Sequence, residues 1–125
     1  MESPEVIREA LAHHVCTEQY WLLFPECTDF KYTDGARAMA QMCEAYWLIT
    51  DILALQQKKK LKGEAFQVWK LVLNDKNVDG GAILVCEDGN NKELVREEIH
   101  FTDFPLPEGI KLYLTGGVLM LPSEY

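Results

Sequence analysis

No run of roughly eighteen uninterrupted apolar residues occurs in this 125-residue sequence, so a membrane-spanning helix is not expected. The opening residues Met1-Glu2-Ser3-Pro4-Glu5 lack the basic flank and apolar stretch of a secretory leader, which argues against export. Cysteine is sparse. Cys16, Cys27, Cys43 and Cys86 are widely spaced and form no C-x-x-C pair, so they read as reduced, mostly buried thiols of a cytoplasmic protein and not as a disulfide framework. Positive charge is also short, with 12 Lys and Arg against 20 Asp and Glu and a net charge of −8. The deficit is uneven: residues 1–62 hold nine acids and seven bases, residues 63–125 eleven acids and five bases. A field of that sign repels phosphate backbones, which disfavours direct nucleic-acid binding and favours a protein partner with a basic surface.

Catalytic signatures are missing too. There is no phosphate-binding P-loop, no G-x-G-x-x-G and no G-x-S-x-G elbow, and no cofactor is expected. Only His13, His14 and His100 could serve as imidazole bases, and whether His100 reaches Cys86 is left open by the sequence. His13, His14, Cys16 and Cys27 match no zinc-ligand spacing, because adjacent helical residues project about 100° apart.

What is present is the composition of one globular domain, 48% apolar and 26% charged. Ser3 followed by Pro4 and Glu5 starts a helix expected to reach about His14, with Val6, Ile7, Ala10, Leu11 and Val15 on one face. Tyr20, Trp21, Phe24 and Phe30 are expected to anchor the core. Thr33 caps a second, long helix running to about Gln57, buried through its middle. Lys58 to Lys62 and Gly63 close it.

The period then changes. Phe66–Leu73, Ala82–Cys86 and Glu93–Phe101 read as strands separated by Asn-, Asp- and Gly-rich turns. A last hairpin pairs 110–114 with 118–121 across Thr115-Gly116-Gly117. The expected fold is α+β: residues 1–125 form one domain in which two N-terminal helices, the second long and buried, pack on a four- to five-stranded antiparallel meander.

Several acids invite functional readings. Asp75-x-Asn77-x-Asp79-Gly80 opens like an EF-hand loop, but its twelfth position is Cys86 and a strand follows, which leaves Asp75, Asn77 and Asp79 as a weak calcium candidate beside a plain hairpin turn. Asp51 lies in line with Leu48, Glu44, Gln41 and Arg37, so it is expected to face water. Thr33 and Asp103 are expected to shape structural corners, Thr33 as a helix cap and Asp103 in a strand-end turn.

Tyr32-Thr33-Asp34-Gly35, Ala45-Tyr46-Trp47 with Asp51-Ile52, Glu87-Asp88-Gly89-Asn90, Phe101-Thr102-Asp103-Phe104-Pro105 and Leu121-Pro122-Ser123-Glu124-Tyr125, in that order, resemble a family of small uncharacterised bacterial and phage proteins. The resemblance implies a free-standing domain, often encoded near mobile elements, and transfers no catalytic residue. The expected function is therefore a non-enzymatic binding module, monomer or homodimer, that occupies a basic surface of a host protein through Glu87, Asp88, Glu93, Glu97 and Glu98. The alternative is a small hydrolase or transferase with a site near Asp34, Asp51, Asp103 or His100.

Overall fold

In the computed structural model, which describes residues 2–73 and 81–125, Ser3 accepts the Val6 N–H at 3.4 Å and starts α1 (Pro4–Ala12). Two short strands follow, β1 (Tyr20–Leu22) and β2 (Lys31–Thr33). Thr33 then caps α2 (Asp34–Met42) by accepting the Ala36 N–H at 3.2 Å, as its position predicts.

The long second helix does not persist. It breaks at Glu44, which adopts φ 51°, and restarts as α3 (Tyr46–Leu55). The Ala45 N–H donates to Ala40 O at 2.8 Å and the Glu44 N–H to Gln41 O at 3.4 Å, the two bonds of a Schellman C-cap. Ala40 and Ala45 are both fully buried, so apolar contact across the cap outweighs the strain of a left-handed glutamate. Glu44→Gly is expected to raise stability by about 0.5–1 kcal/mol by relieving that strain. A urea melt checks this, and a lower midpoint for the variant would show that the glutamate side chain stabilises the junction.

The β half comprises β3 (Phe66–Leu73), β4 (Ala82–Glu87), β5 (Glu93–Ile99), β6 (Ile110–Thr115) and β7 (Val118–Met120). All seven strands join one sheet in the order β1-β2-β7-β6-β3-β4-β5. The α+β class stands, but the simple meander does not. From β5, residues 100–109 carry the chain back so that β6 pairs with β3 and not with β5. β2 lies parallel to β7 and the other neighbours run antiparallel. The parallel junction depends on Gly117 at φ 78°, whose missing Cβ leaves room for the Asp29 carbonyl while its own oxygen accepts the Lys31 N–H at 2.8 Å.

Alternate residues Trp69, Leu71, Leu84, Cys86, Leu112, Leu114 and Leu119 join Ile7, Met39, Leu48, Ile49 and Ile52 of the helices in one core. Inside it, Gln67 is only 2% exposed. Its amide exchanges two hydrogen bonds with Gln56, the C-cap of α3, at 2.9 and 3.0 Å, and its oxygen accepts the Trp69 indole N–H at 2.9 Å. Of the early aromatics, Phe30 is buried, whereas Tyr20 and Phe24 are exposed, contrary to the expected anchoring. Tyr20 fails to bury because β1 is the terminal strand of the sheet, and Phe24 lies in the loop beyond that strand. Cys43 and Cys86 are buried, Cys27 half-buried and Cys16 exposed, so only half of the thiols are fully covered.

Candidate functional site

The acidic residues of the β4–β5 hairpin have divided roles. A bulge sets Glu87 opposite Glu93, a like-charge pair that each partner relieves separately. Glu87 bridges to Lys70 at 3.0 Å, and Glu93 accepts a two-nitrogen fork from Arg96 at 2.7–3.2 Å. The Arg96 bonds, with a smaller contribution from Lys60, hold the Glu93 carboxyl below its usual range. Lys58, Lys59 and Lys60 line a surface depression together with Glu93 and Arg96, so the basic run sits beside the acidic hairpin. Asp88 shapes the turn by accepting the Asn90 and Lys92 N–H groups at 2.8 and 3.2 Å. Glu97 and Glu98 join no ion pair among the described residues. Being adjacent on a strand, they point to opposite sides of the sheet.

The candidate catalytic residues are not gathered. Asp34 accepts the Trp21 indole N–H at 2.9 Å and the Glu18 N–H at 3.0 Å. The Trp21 bond, then the Glu18 bond, keep its carboxyl below the usual range. The Arg37 guanidinium lies 3.9 Å over the Trp21 ring, so Asp34 ties β1 to the start of α2. His100 follows β5, which four intervening strands separate from β2 across the sheet. It also lies away from Cys86, because Cys86 pairs with Val95 whereas Ala82, at the other end of β4, pairs with Ile99. Burial pushes the Cys86 thiol up to about 12 and the Cys43 thiol up to about 11, which keeps both protonated and poorly nucleophilic at neutral pH.

Asp51 is half-buried and does not face water as the periodicity suggests. The break at Glu44 rotates α3 out of the line drawn from Arg37, and Leu48 is fully buried. Burial raises the Asp51 carboxyl above its ordinary value. Asp103 is exposed, and the corner is shaped by Thr102, whose Oγ1 accepts the Phe104 N–H at 3.2 Å. The acceptor in this strand-end corner is therefore the threonine hydroxyl two residues before the N–H, and not Asp103 itself. No group of three or more metal-ligating side chains stands close enough to hold a cation among the described residues. Asp75, Asn77 and Asp79 lie outside those residues.

Two features escaped the sequence reading. Glu124 closes the α2 N-terminus: its carboxylate accepts the Thr33 hydroxyl at 2.6 Å, the Gly35 N–H at 3.0 Å and the Leu121 N–H at 3.0 Å. Nearby, a groove of about 540 Å³ opens between α1, the start of β6 and the chain leaving β7. Arg8 and Glu108 clasp across it through two bonds of 2.8 and 2.9 Å, which hold the Glu108 carboxyl down to about 2. The available sequence signal was Pro122, a residue that cannot continue a strand ladder.

No helix among the described residues is long and apolar enough to cross a membrane. No curated protein and no solved structure matches the chain. Residues 5–125 match the model described as "Family of unknown function (DUF6876)", spanning the helices, the sheet and the Glu124 closure, and the chain belongs to that family.

Proposed function

We propose that this chain is a non-enzymatic binding module that occupies a basic surface of another protein, in the manner of a phage or mobile-element factor acting on its host. The observation that supports this reading is the β5 edge. Among the described residues β5 is the last strand of the sheet with no outer neighbour, and it carries Glu97 and Glu98 outside any ion pair. An uncovered edge with unbalanced acids suits a partner bearing Lys and Arg, and complementary charge accelerates such encounters. Glu87, Asp88 and Glu93 support the edge indirectly, since their charges are committed to Lys70, the turn and Arg96.

A Glu97→Lys/Glu98→Lys variant is expected to fold like the native chain and to retain at least tenfold less partner from a bacterial host lysate at low salt. Retention by the native chain should fall as salt rises. Equal retention by both proteins would remove the acidic edge from the reading.

A further inference from the structure

The ladder between β3 and β6 exposes an internal sheet edge. The Gly116 N–H donates to Ala65 O at 3.4 Å, so bonded pairs recur at every second position from there: Gln67 with Leu114, Trp69 with Leu112, Leu71 with Ile110. Lys111, opposite Lys70, falls between them and turns its own N–H and C=O away from β3, toward the side where β7 lies. β7 ends at Met120, opposite Tyr113. Continued register would bring Pro122 opposite Lys111, but proline offers no N–H, and Pro122–Glu124 instead forms a 3-10 turn held by Glu124. The groove described above occupies that place.

We propose that this groove binds an extended segment of another protein, added as a strand beside Lys111, in which apolar residues alternate with acidic ones. The backbone of Lys111 supplies a donor and an acceptor for the added strand. Leu11, Leu106, Ile110 and Leu121 supply an apolar wall for one set of its side chains. Facing the other set, the Lys111 ammonium rests 5.6 Å over the Tyr113 ring and joins no ion pair among the described residues, while the charge of neighbouring Lys70 is already met by Glu87 at 3.0 Å. This is a cationic spot on a chain of net charge −8, so an acidic segment is favoured there while a second intact copy is repelled overall. The open edge of β6 is separated from the β5 edge by β3 and β4, so the two surfaces are independent.

The probe is a short capped peptide alternating valine and glutamate, titrated into the full chain labelled with 15N. The Lys111 and Ile110 amide signals are expected to move with saturation, while those of β5 stay in place. Lys111→Glu is expected to weaken binding about tenfold or more, by exchanging attraction for repulsion. A peptide N-methylated at the central amide is expected to lose binding to the unaltered protein, a comparison that does not depend on any variant folding. No shift at Lys111, equal binding of the N-methylated peptide, equal binding of a valine–lysine peptide, or sedimentation showing the groove covered by a second copy would each overturn the proposal.

Discussion

Glu124→Ala is expected to lower the stability of the fold by about 2–3 kcal/mol, a shift of roughly 10 °C in Tm for a chain of this size. Thr33 is 1% exposed, and its hydroxyl both donates to Glu124 at 2.6 Å and accepts the Ala36 N–H at 3.2 Å. Removing the carboxylate strands that hydroxyl and the Gly35 N–H together, and withdraws a negative charge from the positive end of α2. The Leu121 N–H also loses its partner, which frees the turn that diverts the chain away from β6. Glu124→Gln keeps one carbonyl acceptor and should cost less than the alanine variant. Gly35→Ala should resemble Glu124→Ala, because the added methyl would occupy the space of the carboxylate. Urea denaturation followed by circular dichroism measures all three. An unchanged midpoint for Glu124→Ala would mean that Thr33 caps α2 without help from the tail.

Gln67→Leu should cost about 3 kcal/mol even though it places a larger apolar group in an apolar core. Gln67 ties β3 to the end of α3: its amide pairs reciprocally with Gln56, and its oxygen also receives the Trp69 indole N–H from the same strand. Trp69 is 1% exposed, so the orphaned indole donor would have no water to turn to. Trp69→Phe removes that donor. In the Gln67→Leu/Trp69→Phe double variant, the loss should therefore be smaller than the sum of the two single losses, and the difference is the coupling between the residues. Strict additivity would show that the buried amide pair is independent of the indole. Trp69 fluorescence offers a second readout of its surroundings, alongside the denaturation midpoint.

Sequence by itself determined the features governed by neighbours along the chain. Ser3 and Thr33 are helix starts because a hydroxyl reaches an N–H three residues on. Phe66–Leu73 follows from a short run of aromatic and β-branched residues apolar on both faces, and the turn at Gly116-Gly117 from residues that accept positive φ. The acidic bias of the second half was equally plain, but the use of each acid was not. Glu93 meets Arg96 three residues on in its own strand, but whether Glu87 faces Lys70 or water depends on strand register, and register on side chains far apart in sequence.

Tertiary structure alone decided the rest. The long apolar helix was divided at Glu44 because burial of Ala40 and Ala45 outweighs local helical continuity. β6 was placed beside β3, and β2 beside β7, by core packing that no local period encodes. Glu124 found its partners 91 and 89 residues earlier in the chain. The groove beside Lys111 exists because one strand ends at a proline while its neighbour continues. Its walls come from segments more than a hundred residues apart, and only the packed chain brings them together, since burial rewards contact without regard to sequence separation.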